Sequence, residues 1–257
     1  MITKRHPYFV TICSGKGGVG KSVLAANLSY EMSKSGLSIL LWDADMQFPN
    51  QHLILGVEPP VRLAQVYAGN VNVKTAVFNF SRDFDLISDM PASGLAEYYS
   101  ETPIIDVYKQ ILNLDAYDIV IIDAPAGASS NVLQCCDIAD NIALVVTDEP
   151  TSLLDAYGLV KILLSRDYKQ KINLLVNNVI DYEDADEISE KMNLATKKFL
   201  KTKIEAIGYV PYDRKVRQSI ILQEPLLSIS TDSEAAAAIR LIASVCPTRH
   251  ASVPFRL

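Results

Sequence analysis

The sequence predicts an α/β protein: a doubly wound, mostly parallel sheet with helices on both faces. Three observations carry this. Apolar runs of strand length alternate with helical patterns along the whole chain. The runs are continuously apolar, as in Ile119-Val120-Ile121-Ile122, which suits strands buried on both faces of a parallel sheet. A glycine-rich run lies where the first strand gives way to the first helix.

Residues 8–13 (Tyr-Phe-Val-Thr-Ile-Cys) form the first predicted strand. A helix follows at 22–35, with Ala25, Leu28 and Met32 at helical spacing. Strands are predicted at 37–42, 84–88, 118–122, 141–147, 172–177 and, shorter, at 206–210. Between them lie helical patterns at 104–114, 131–139, 152–165 and 187–200. Ile188, Met192, Ala195 and Phe199 share one face of the last, while Lys197, Lys198, Lys201 and Lys203 read as a solvated surface. In the final helical pattern Ala235, Ala238, Ile239, Ile242 and Val245 share one face and read as packed on the sheet. No repeat, low-complexity stretch or linker is visible. Residues 1–257 therefore read as one domain, with 248–257 as a short tail whose Val253, Phe255 and Leu257 allow weak membrane contact.

A chain of 257 residues with 49% hydrophobic residues can bury a large core. Its net charge of −6 argues against broad electrostatic binding to nucleic acid. No apolar run is long enough to span a bilayer, and Met1 leads into a strand without an apolar signal segment, so a cytoplasmic protein is expected. Cys13, Cys135, Cys136 and Cys246 form no Cys-x-x-Cys pair and read as small buried thiols.

The run Gly15-Lys16-Gly17-Gly18-Val19-Gly20-Lys21-Ser22 satisfies the phosphate-loop pattern and adds a second lysine, Lys16. Small residues let successive N–H groups curl around a phosphate at a helix N-terminus. Lys21 can reach the β- and γ-phosphates, and Ser22 can ligate Mg²⁺. In open parallel sheets ligands sit beyond the C-terminal strand ends. Asp43 and Asp45 follow the second strand, and Asp123 closes the fourth, ahead of Ala124-Pro125-Ala126-Gly127. If the second strand continues, Asp43 and Asp45 point to opposite sides, one toward the metal and one toward the attacking water. Neither precedes an obvious helix that it could cap.

Lys16 in the loop, Asp43-x-Asp45 and Asp123-x-Pro125-Ala126-Gly127 together resemble the MinD/ParA class of P-loop ATPases with the deviant Walker A motif, over nearly the whole chain. The resemblance implies ATP and Mg²⁺, sandwiched in an ATP-dependent homodimer. It implies nucleotide contact for Gly15, Gly17, Gly18, Val19, Gly20, Lys21, Ser22 and Val23. It implies catalytic roles for Lys21, for Lys16 acting across the dimer, and for Asp45 orienting water. Ser22, Asp43 and Asp123 fall on the metal side. Asn177 or Asn178 takes the adenine-recognition position, and Pro211, Tyr212 and Asp213 belong to the loop lining the base. No guanine-specific Asn-Lys-x-Asp run is present, which favours ATP.

Three stretches are similar to the flagellar number and placement branch of the class (the FlhG, FleN or YlxH type): Asp123 to Ser129, Thr147 to Tyr157, and Gly208 to Asp213 running on to Gln223-Glu224-Pro225. The branch implies a switch that positions or counts a cellular machine, with a protein partner or activator. Division-site placement of the MinD type and DNA partition of the ParA type are the alternatives. The acidic balance counts against partition, and no specific nucleic-acid partner is expected. An iron–sulfur carrier would need paired cysteines at a dimer axis, which Cys135-Cys136 does not match.

Overall fold

The computed structural model describes residues 6–90, 103–166, 168 and 170–245. In chain order these form β1 (Tyr8–Ser14), α1 (Lys21–Lys34), β2 (Ile39–Asp43), α2 (Gln51–Ile54), α3 (Leu63–Tyr67), α4 (Val73–Ala76), β3 (Phe78–Ser81), β4 (Phe84–Ile87) and α5 (Pro103–Leu112). There follow β5 (Ile119–Ala126), α6 (Ser130–Asp137), β6 (Asn141–Val146), α7 (Pro150–Ser165), β7 (Lys171–Val179), α8 (Tyr182–Ala195), β8 (Glu205–Pro211), α9 (Arg214–Leu222), α10 (Leu226–Ile229) and α11 (Glu234–Val245).

The strands make one eight-stranded sheet in the order β3-β4-β2-β5-β1-β6-β7-β8. Every pairing is parallel except the edge pair β3–β4. Alternate residues of each central strand feed two different cores. Phe9, Leu40, Trp42, Val120 and Ile122 join the layer formed with α3 to α8. Val10, Ile12, Leu41, Ile119 and Ile121 join the layer formed with α1, α10 and α11. Both faces are covered, which is why the strands carry no polar alternation. Each fully buried Leu or Ile contributes about 1.5–3 kcal/mol, so these stacked rows set the strand positions firmly.

The structure bears out the doubly wound architecture and amends several elements. The edge strand β3 and the short helices α2, α3, α4, α9 and α10 were not predicted. The helix predicted at 187–200 begins at Tyr182, ends at Ala195 and continues as a π-helical turn, Thr196–Leu200. Phe199 therefore leaves the buried face and is 63% exposed. Lys197, Lys198, Lys201 and Lys203 are exposed, as expected. In α11, Ala235, Ile239 and Ile242 are buried against the sheet. The tail 248–257 and Cys246 lie outside the described residues.

Candidate functional site

Parallel pairing brings the C-terminal ends of β1, β2, β5, β6, β7 and β8 to one edge of the sheet, and the predicted site residues collect there. The loop from Gly15 to Gly20 joins β1 to α1, with Gly20 as the N-cap in a left-handed conformation (φ 91°). Two of its glycines are required by close approach. A Cβ on Gly15 would lie 2.2 Å from the Asp155 carbonyl carbon in α7. One on Gly20 would lie 2.3 Å from the Asn177 side-chain nitrogen. The loop is thus gripped from two sides: Asn177 donates to the Val19 carbonyl at 2.8 Å, and the Ser14 hydroxyl donates to that of Lys16 at 2.6 Å.

A cavity of about 270 Å³ adjoins the loop. Lys16, Gly17, Gly18, Val19, Gly20 and Val23 line one side, and Asn177, Asn178, Pro211, Tyr212 and Asp213 the other. The two groups, 158 residues apart between Val19 and Asn177, meet because β7 and β8 end beside the loop. Asn178 takes a left-handed backbone (φ 61°) at the end of β7, and Tyr212 is 63% exposed at the cavity mouth. Asp213 also caps α9, accepting from the Lys215 N–H at 2.8 Å.

Lys21 and Ser22 open α1 opposite the β2 and β5 ends, with Lys21 buried. Asp43 and Asp123 are neighbours across the β2–β5 ladder and both are buried. Burial and the Asp123 charge push the Asp43 carboxyl up to about 8, against hydrogen bonds from Gln51, Ser88 and Asn50. Burial also raises Asp123, while hydrogen bonds from Ser22 and Gln51 and the Lys21 charge oppose it.

Both expectations about Asp43 and Asp45 as a strand pair need correction. β2 ends at Asp43, so the two do not alternate across a strand. Both carboxylates also hold backbone. Asp43 Oδ2 accepts from the N–H groups of Asn50 (2.9 Å) and Gln51 (3.0 Å) and from the Ser88 hydroxyl (2.9 Å), so it does cap the start of α2. Asp45 Oδ1 accepts from the N–H groups of Gln47 (3.1 Å) and Phe48 (3.0 Å), closing a turn.

Lys16 does not turn into the loop it belongs to. Its ammonium pairs with Glu149 and lies 3.0 Å from the Thr151 hydroxyl, at the start of α7. Pro150 occupies the first helical position there, and Ser152 accepts from the Thr147 N–H at 3.1 Å. The helix thus starts two residues before its predicted boundary, and Glu149 is its N-cap.

The residues present fit a magnesium nucleotide. The loop and its α1 N-terminus offer an anion cradle, which opens on the cavity lined by Gly17, Gly18 and Gly20. Asp123 Oδ1 is buried without a hydrogen-bond partner among the described residues. Mg²⁺ needs only one or two carboxylates beside phosphates and water, and Ser22 with Asp123 supplies that set. No cluster of three or more His, Cys, Asp or Glu side chains able to hold a metal occurs among the described residues. Such a loop, lysine, serine and strand-end aspartate define a P-loop nucleoside triphosphatase.

A ParA family model, described as "NUBPL iron-transfer P-loop NTPase", matches residues 6–246. The antiactivator FleN of Pseudomonas aeruginosa is 29% identical over 245 residues, covering 93% of this chain and 86% of that protein. A chain of the Aquifex aeolicus MinC:MinD cell division protein complex superposes with a TM-score of 0.77 at 27% identity, covering 97% of this chain and 99% of that one. The Pyrococcus horikoshii septum site-determining protein MinD, complexed with Mg-ADP, superposes with a TM-score of 0.78 at 22% identity, covering 92% and 94%. The chain belongs to the ParA/MinD family of P-loop ATPases, whose cofactors are ATP and Mg²⁺.

Sequence reasoning missed Gln51, whose side chain bonds both the Ser22 carbonyl and Asp123. It noticed Glu149 and Thr151 only as part of a similar stretch, not as the partners of Lys16. None of the three has a local pattern that would reveal its partner.

Proposed function

We propose that this ATPase is an ATP-dependent dimerising switch that positions or counts a cellular machine, and that the machine is the flagellum. The observation that carries the switch is the position of Lys16. It lies in the phosphate loop yet reaches away from the loop to α7, with its side chain 35% exposed, which supports a role for it toward a second protomer's nucleotide once it leaves Glu149. Lys21 neutralises phosphate charge within the protomer, Ser22 and Asp123 hold the metal side with Asp43 behind them, and Asp45 orients water. Adenine sits against Asn177, Asn178 and the 211–213 loop. FleN similarity favours the flagellar branch. Iron transfer, named in the description of the family model, does not suit the cysteines of this chain. Cys13, Cys135 and Cys136 are buried, and burial pushes the Cys135 thiol well up, away from the thiolate that metal transfer needs.

The protein acts as one domain, in the cytoplasm or at the inner membrane face, through a protein partner that reads the dimer. Among the described residues no helix is long and apolar enough to cross a membrane. Light scattering of a hydrolysis-deficient Asp45→Ala protein tests the switch: ATP should double the mass, ADP should not, and Lys16→Ala should abolish the doubling. Deleting the gene in a flagellated host tests the role. Altered flagellar number or position is expected. Normal flagellation with misplaced septa would replace it with division-site placement, and defective DNA segregation with partition.

A further inference from the structure

We propose that Gln51 is a positioning residue for the metal side of the site, clamping Asp123 and offering its carbonyl oxygen to the water shell of Mg²⁺. Gln51 is the first residue of α2 and is 0% exposed. Its side-chain nitrogen donates twice, to the Ser22 carbonyl at 3.0 Å and to Asp123 Oδ2 at 2.8 Å. Its backbone N–H donates to Asp43 at 3.0 Å. One residue thus ties the segment after β2 to the first turn of α1 and to the paired carboxylates Asp43 of β2 and Asp123 of β5.

Two acceptors are left over. Gln51 Oε1 and Asp123 Oδ1 are both buried, and neither has a hydrogen-bond partner among the described residues. They belong to side chains bonded to each other, beside Ser22. A buried oxygen without a donor is costly, and a buried carboxamide is harder to place than an apolar side chain of the same length. The Ser22 hydroxyl is beside Asp123 and favours its ionised form, but no donor of the described residues reaches Gln51 Oε1. Hydrated Mg²⁺ would supply one, because it retains several waters and binds through few protein ligands. Asp123 then faces the metal with one oxygen while Gln51 fixes the other, the arrangement by which outer partners orient a ligand. The same bonds make α2 respond to the metal, since movement of Gln51 would free Asp123.

The inference rests on Asp123 lying on the metal side, so the experiment includes that residue. Binding of a fluorescent ADP to the full chain is followed in EDTA and across a Mg²⁺ titration. Gln51→Leu should bind ADP in EDTA within about twofold of wild type, while the Mg²⁺ needed for half-maximal tightening rises about tenfold or more. Gln51→Met, which keeps the length and loses both polar atoms, should behave alike and serves if the leucine variant does not fold. Unchanged Mg²⁺ requirement in the folded variant would overturn the inference. So would an equal loss of affinity in EDTA, which would mark Gln51 as structural only. Asp123→Asn should raise the Mg²⁺ requirement at least as much. If it does not, the metal assignment itself fails; if it does and Gln51→Leu and Gln51→Met do not, only the role of Gln51 falls.

Discussion

Lys16 and Glu149, 133 residues apart, form an ion pair that holds the phosphate loop against the first turn of α7. The Thr151 hydroxyl completes the contact at 3.0 Å. A lysine serving a second protomer must leave these partners. If Lys16 serves a second protomer, the lone protomer contains a competitor for that contact. The pair holds Glu149 below the usual carboxylate range, through the Lys16 hydrogen bond and charge.

Glu149→Gln should ease dimerisation. Exposed ion pairs are weak, so the ATP concentration for half-maximal dimer in an Asp45→Ala background should fall by no more than about fivefold. The shift should shrink in high salt, because screening already weakens the pair in the parent. Sedimentation at several ATP concentrations checks this. A Glu149→Gln protein that dimerises less readily would mean that Glu149 supports Lys16 across the interface.

Gly15, packed against α7, and Gly158, inside α7, should respond oppositely to alanine. Gly15→Ala would drive a methyl into the α7 backbone at Asp155, and neither backbone can yield as a side chain could. It should cost about 1–3 kcal/mol and weaken nucleotide binding. Gly158, inside α7, has nothing within 4 Å of an added Cβ and needs no unusual φ. Gly158→Ala should stabilise by about 0.4–1 kcal/mol, chiefly by restricting the unfolded chain. Urea midpoints of the two variants decide it.

The central strands, the phosphate loop and Asp123 were legible because their signals are local: continuous apolar runs, a fixed glycine spacing, a carboxylate ending an apolar run. Asp123 does not close the strand, however, because β5 continues to Ala126. Between Gln51 and Ser81 legibility fails. Three helices of four or five residues are too short to show a helical period, and β3 shows apolar–polar alternation in Phe-Asn-Phe-Ser over only four residues. Asp43 looked uncommitted because the helix it caps begins eight residues later, with a loop between. The start of α7 was placed two residues late, at 152, because the signal in Pro150, a residue suited to the first helical position, was passed over. The partners of Lys16 and Gln51 were not legible, since only the tertiary fold brings them near.

Stability should fall with rising pH because of Asp43. Burial, then the Asp123 charge, holds its carboxyl up to about 8. In the unfolded chain such a group titrates near ~4. A proton that the fold retains stabilises it fully below the unfolded value, and that contribution is lost as pH rises through the folded one. The nucleotide-free protein should therefore lose stability from about pH 4 to 8 through this group. Asp43→Asn removes the titration and should flatten the slope in that window, whatever its constant cost from disturbed bonds to Asn50, Gln51, Ser88 and Asp45. Denaturation midpoints between pH 5 and 9 give the comparison. A difference between the two proteins that does not change with pH would show Asp43 ionised throughout.

Asp45 separates fold from chemistry through a choice of substitutions. Its Oδ1 closes the turn to Gln47 and Phe48, so Asp45→Ala removes both a charge and two backbone hydrogen bonds. Asparagine keeps an acceptor oxygen in that place and removes only the charge. If Asp45 orients the attacking water, the carboxylate is needed in the transition state while nucleotide binding depends on the loop, Lys21 and the metal side. Asp45→Asn should then keep the wild-type melting temperature and ADP affinity, and its turnover should fall by about 10²-fold or more. Asp45→Ala should lose turnover as fully, with a further small loss of stability from the opened turn. Lys21→Ala is the contrasting case, because it should lose nucleotide binding itself. Single-turnover hydrolysis at saturating ATP, run beside ADP binding for all three, separates the steps. Asp45→Asn hydrolysing at the parent rate would remove the water-orienting role and leave Asp45 as the residue that shapes the turn after β2.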